Sequence, residues 1–213
     1  MSNRTGPGTL LLAVLVVTGV AHPAAPGFAG EVNLKSEVPL VSSNLPKAKQ
    51  TTLGLYVTAK QAYEMWKSAP DAVKVIDVRT PEEFAFVGHP EMAWNVPVGF
   101  VSYQRTGGKF TYAPQMNPAF VAQVKEIAQP TDTLLVTCRS GGRGAMAVNQ
   151  LAAAGFTKAY NIVDGIEGDT VDDPESVFHG KRMKNGWKNS APWVYDVDPE
   201  KIIIEEGASQ QMR

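Results

Sequence analysis

Beyond residue 54 the apolar positions follow two patterns, short continuous runs and stripes with a helical repeat, and the two alternate along the chain. "LYV" (residues 55–57) predicts a short strand. Thr58 is placed to cap a helix in "AKQAYEMWKSA", where Ala62, Met65 and Trp66 share a face. "AVKVIDV" (72–78) is a β-branched run of the kind that forms a buried parallel strand. Thr80 as cap, Pro81 at the first helical position and Glu82 with Glu83 in the first turn predict a second, short helix. "AWNVPV" (93–98) predicts a strand. Residues 100–116, aromatic and β-branched around Gly107-Gly108, predict a hairpin-like excursion.

The core restarts at "NPAFVAQVKEIA", an Asn-Pro opening followed by Phe120, Val121, Val124 and Ile127 on one helical face. "DTLLVT" (132–137) is a buried-type strand that runs straight into Cys138. "GAMAVNQLAAAGF" puts Ala145, Val148, Leu151 and Ala152 on one face with Gly155 as its stop signal, and "KAYNIV" (158–163) predicts another strand. Strand and helix alternating in this way give an α/β class, a three-layer arrangement with a mostly parallel central sheet flanked by helices on both faces.

Outside this core the pattern weakens. Residues 30–54 carry no sustained period and two prolines, and are expected to be a loosely ordered lead-in to a domain at 55–198. Residues 169–185 are polar, acidic first and then basic, and are expected to be an inserted surface loop. "GWKNSAPWVYDV" regains aromatic character and is expected to pack back on the domain through Trp187 and Trp193, leaving 199–213 as a tail.

The first 29 residues have the layout of a secretory signal peptide: Arg4, an apolar stretch at 9–20, and small residues at Gly19-x-Ala21 and Gly27-x-Ala29. The apolar run is short for a bilayer span, which needs about 20 residues. Cleavage after Ala21 or Ala29 and export, to the periplasm or outside the cell, are expected, with no stable membrane insertion afterwards; an uncleaved anchor is the alternative. The 20 basic and 21 acidic side chains leave no global field to attract nucleic acid. Three histidines and one cysteine without ligand-like spacing predict no metal site, and no dinucleotide or Walker glycine pattern predicts a cofactor. His22 leaves with the signal when cleavage follows Ala29, His89 is expected to make structural hydrogen bonds, and His179 lies in a solvated basic cluster.

A single cysteine in an exported chain has no internal disulfide partner, so it is either inert filler or kept for its reactivity. Its surroundings favour reactivity. In Cys138-Arg139-Ser140-Gly141-Gly142-Arg143-Gly144 the glycines let backbone amides turn inward as an anion nest, and the following helix aims its unpaired N–H groups at the same spot. Arg139 and Arg143 add fixed positive charge suited to an oxyanion, and a thiolate is favoured in such a place.

These segments resemble the rhodanese family of sulfurtransferases. "VIDVRTPEEF" (75–84) is similar to the family's strand-and-helix signature, "GHPEMAWNVP" (88–97) to its second motif with Glu91-Met92 in place of a glycine, 138–143 to its active-site loop, and "GFTKAYNIVDGIEG" (155–168) to its closing strand-turn. The family's terminal string is cut in two here, at 165–168 and 186–192. The resemblance implies a rhodanese-like fold and a Cys138 persulfide, formed from thiosulfate or another small anionic donor and passed to a thiol, a redox protein or cyanide. It also implies that Arg143, and Arg139 with it, hold the donor, that Asp77 pairs with a loop arginine, and that Arg79 is structural. Cysteine phosphatases use a Cys-x5-Arg loop; here the spacing to Arg143 is Cys-x4-Arg, which favours sulfur over phosphate or arsenate. A persulfide carrier docking to an envelope redox partner is the other reading, motivated by the excursions at 100–116 and 169–185.

Overall fold

A computed structural model describes residues 44–203, apart from the side chains at 104, 106 and 110–114. The expected signal peptide, the start of the lead-in and the end of the tail lie outside the described residues. In chain order the elements are β1 (Tyr56–Val57), α1 (Ala59–Ser68), β2 (Val73–Asp77), α2 (Pro81–Val87), β3 (Trp94–Asn95), β4 (Gly99–Thr106), β5 (Lys109–Met116), α3 (Phe120–Ile127), β6 (Thr133–Thr137), α4 (Gly142–Ala153), β7 (Ala159–Ile162), β8 (Asp169–Thr170) and β9 (Arg182–Lys184).

Five strands form one parallel sheet in the order β1-β7-β6-β2-β3. Alternate residues of its central strands feed two separate cores, as the period of two requires. Ile76, Leu134 and Val136 pack under α3 and α4 with Phe120, Val124, Val148 and Leu151. Val73, Val75 and Leu135 pack on the other face under α1 and α2 with Ala62, Met65, Phe84 and Trp187. The α/β class with helices on both faces is therefore observed.

Helix starts follow the sequence closely. Thr58 and Gln61 close a capping box on α1, and Thr80 and Glu83 close one on α2 with Pro81 behind the cap. The Asn-Pro opening does not cap α3: the cap position is Ala119 without a side-chain bond, because the buried Asn117 side chain accepts from Ala119 N and donates to Pro97 O and Gln123 Oε1. The excursion at 100–116 is an antiparallel hairpin, β4 with β5, turning at Gly107-Gly108, both at positive φ.

Two boundaries differ from expectation. Residues 44–54 are docked rather than loose: Lys47–Lys49 forms a 3-10 turn, Thr52 N donates to Asn149 Oδ1 at 2.8 Å, and Asn161 Nδ2 reaches Lys49 O at 3.0 Å. At the other end, residues 199–203 extend the open edge of β3, with Ile203 N donating to Asn95 O at 2.9 Å. Both segments supply partners to backbone and amide groups that would otherwise lie unpaired beside the core. The 169–185 segment carries the small antiparallel pair β8 and β9, and its ends meet. Buried Asp164 accepts from Ala59 N and, after the excursion, from Gly186 N, while Trp187 N donates to Gly165 O. Trp187 is fully buried beyond this junction, as its aromatic signal predicts.

Candidate active site

β6 delivers Cys138 to the carboxyl end of the central strand, where ligands bind in open parallel sheets. The chain then turns through Gly141, at φ 96°, into α4. A side chain at 141 would run into Val163 O, so the residue needs both the left-handed backbone and the missing Cβ. The turn brings Gly141 N within 3.2 Å of Cys138 Sγ. The next amides open a twelve-residue helix and have no intrahelical partner, so the sulfur lies at a helix N-terminus.

A second loop holds this one from below. Gly165, at φ 62°, lets its turn lie directly against the Cys138 and Arg139 carbonyls, and Ile166 N and Glu167 N donate to those two oxygens at 2.8 and 3.0 Å. Buried Asn161 on β7 donates to Gly141 O at 3.1 Å as well as to Lys49 O. No local sequence pattern marks Asn161, Gly165 and Glu167 as neighbours of Cys138. The "VDGIEG" turn signal was visible, but its contact with the cysteine loop was not.

The charged residues are arranged differently from the pattern the resemblance implies. Both terminal nitrogens of Arg143 bond Glu83, at 2.6 Å each. Arg139 Nε donates to Glu167 at 3.1 Å while much of the side chain stays exposed. Asp77 does not pair with a loop arginine. It binds Arg79 through both oxygens, the shortest contact 2.6 Å, and Arg79 Nη2 also reaches Gly88 O. The proximity of Asp77 and Arg79, two residues apart at the end of β2, is local and wins over the more distant Arg143. Arg79 has no exposed surface.

Electrostatics follow the pairing. Burial works against the charge of Glu83, but its hydrogen bonds with Arg143 outweigh it and hold the carboxyl below its ordinary value. Burial likewise opposes Arg79 and Arg143, and Asp77 and Glu83 respectively raise both above the ordinary arginine value. Burial lowers His89, which stacks on Phe84 and bonds its carbonyl oxygen, a structural placement.

Cys138 itself is 1 % exposed and packs with the cluster under α3 and α4. The body of Cys138 therefore belongs to the core while its sulfur faces the Gly141 amide. Ser140 and Gly142 are half-buried and Gly144 is buried against Asn161. Among the described residues no group of three or more His, Cys, Asp or Glu is gathered as for a metal ion.

Residues 58–170 match the Rhodanese-like domain family. The chain belongs to the rhodanese family. This rhodanese is 35 % identical over 133 residues to Senescence-associated protein DIN1 of Raphanus sativus, a match covering 58 % of this chain and 68 % of that one. It is 40 % identical over 92 residues to Thiosulfate sulfurtransferase 16, chloroplastic, of Arabidopsis thaliana, covering 43 % and 69 %. The crystal structure of Rv0390 from M. tuberculosis is similar with a TM-score of 0.51 at 29 % identity, over 66 % of this chain and 96 % of that one. The family match ends at residue 170, so β9 and Trp187 of this rhodanese lie beyond it.

Proposed function

We propose that this rhodanese is a sulfurtransferase in which Cys138 carries sulfane sulfur as a persulfide between a small anionic donor and a thiol or cyanide acceptor. The observation that carries the reading is the Gly141 amide on Cys138 Sγ, 3.2 Å away at the mouth of α4. Family membership supports sulfurtransferase chemistry in general, and the relative named a thiosulfate sulfurtransferase makes thiosulfate the first donor to try.

In the first step the Cys138 thiolate attacks the outer sulfur of thiosulfate. The new S–S bond forms on Cys138 as the old one breaks, and sulfite leaves with the electron pair. Loop amides and the α4 dipole stabilise the anionic persulfide, beside two arginines that each also bond a carboxylate. An acceptor thiolate then attacks the outer sulfur, and Cys138 departs as thiolate.

Incubation with thiosulfate should add about 32 Da, one sulfur atom, to the intact protein and nothing to Cys138→Ser. No adduct with thiosulfate, polysulfide or any other sulfane donor overturns the proposal, as does Cys138-dependent hydrolysis of an aryl phosphate. The proposal places the protein in the periplasm or outside the cell, on the pattern of residues 1–29. Protein taken from its native compartment should then begin at His22 or Gly30.

A further inference from the structure

Asn161 is fully buried on β7, yet its side chain serves the loop that carries the nucleophile. A side-chain amide nitrogen has two hydrogens to donate. Here one goes to Gly141 O at 3.1 Å and the other to Lys49 O at 3.0 Å. Those two carbonyls fix which way the amide lies, and its oxygen is left buried without a partner, close over Gly144. An orphaned buried acceptor costs stability that an apolar side chain of similar size would not, so packing alone gives no reason for an amide at this position.

The bond to Gly141 O reaches the sulfur's surroundings in two ways. Gly141 N is the amide 3.2 Å from Cys138 Sγ, and Gly142 N, across the peptide bond from Gly141 O, is among the unpaired amides that open α4. The helix supplies Gly141 O with Ala145 N at 3.0 Å, and Asn161 adds a donor from outside the helix. A donor on a peptide oxygen holds that peptide in place and polarises its N–H, which then donates more strongly. The other anchor, Lys49, lies ahead of the family match, which begins at residue 58. The turn Lys47–Lys49 passes beside Gly142 and is pinned at Thr52, whose N–H and hydroxyl both donate to Asn149 Oδ1, at 2.8 and 3.2 Å.

We propose that Asn161 is a positioning residue for Cys138, aiming and polarising the amides around its sulfur, and that residues 47–52 are the clamp that keeps the Asn161 amide turned to Gly141. For its effect on sulfur transfer this rests on the sulfurtransferase reading above. Asn161 makes and breaks no covalent bond and moves no proton. Its contribution is to the anion on sulfur, thiolate before loading and persulfide after it, through N–H groups that are already in place when the charge arrives.

Alkylation of Cys138 by iodoacetamide is followed across pH in the full chain, in Asn161→Leu and in Asn149→Ala, together with loading from saturating thiosulfate and Tm. Iodoacetamide reports the thiolate without any sulfur donor. Asn161→Leu is expected to move the alkylation profile to higher pH and to slow loading at neutral pH about tenfold, less than the roughly hundredfold or more that losing a direct donor costs. Asn149→Ala frees the clamp from a distance and is expected to shift the profile the same way by a smaller amount; it keeps the test open if Asn161→Leu does not fold. A profile that stays in place in both variants overturns the proposal, as does faster alkylation at every pH with a fallen Tm, the mark of a merely loosened core. A shift in Asn161→Leu with none in Asn149→Ala overturns the clamp. A native chain that no sulfane donor loads, with the alkylation shifts present, keeps the positioning role and overturns the sulfurtransferase reading; normal loading with unmoved profiles does the reverse.

Discussion

Glu83 and Arg143, 60 residues apart in sequence, hold each other through two hydrogen bonds of 2.6 Å and so tie the first turn of α2 to the first turn of α4. Glu83 has a second duty, since its Oε2 also accepts from Thr80 N at 3.1 Å in the capping box. One carboxylate therefore fixes the start of a helix and the far side of the cysteine loop. Glu83→Gln keeps a cap of the same shape, as Gln61 shows beside Thr58, and removes the charge. It should destabilise the domain by about 1–3 kcal/mol and slow persulfide loading; adding Arg143→Gln should restore part of the stability in urea denaturation but not the loading rate.

Gly141→Ala tests the loop without touching the thiol. The substitution forces a side chain into the left-handed region and against Val163 O, a strain of roughly 1–3 kcal/mol. Thiosulfate loading should be lost as the Gly141 amide moves off Sγ, while thiol titration of the denatured protein still counts one cysteine.

Arg79→Met leaves the Asp77 carboxylate, fully buried, without its counterion. Removing one member of such a pair costs about 3–5 kcal/mol, which should appear as a large drop in Tm. Arg79→Lys should recover little of it, because one ammonium does not replace the fork that holds both Asp77 oxygens and Gly88 O.

Acid should weaken the fold in two windows. His89 is held below its ordinary value of about 6.5 by burial, so on acidification the unfolded chain binds a proton that the folded chain resists. Its contribution is whole above about pH 6.5 and falls below it. Glu83, also lowered, contributes above the ordinary carboxylate range and loses that contribution as pH falls through its folded value. Burial raises Asp164, which acts in the opposite sense in the lower window. The upper window is thus the cleaner measurement: His89→Gln should flatten the pH dependence of Tm between about pH 6.5 and 5.

Much of the molecule was readable from local rules. Thr58 and Thr80 cap their helices, Gly107-Gly108 turns the hairpin, and β2 and β6 are the β-branched and apolar runs expected of strands covered on both faces. Capping, turn chemistry and hydrophobic period act over a few residues, so the sequence displays them directly. The Asn117-Pro118 opening misled because Asn117 found Pro97 O and Gln123, partners that exist only once the sheet has formed.

By itself the sequence determined the order of strands and helices, the family, and the place of the one cysteine between a buried strand and a glycine-rich helix start, since each is written in consecutive residues. Only the tertiary structure decided that Arg143 belongs to Glu83 and Asp77 to Arg79, that residues 44–54 and 199–203 close onto the sheet, and that the inserted strands face Arg139 across a basic cleft. Charges choose partners by distance and burial in space, and those distances are set by which strands lie side by side.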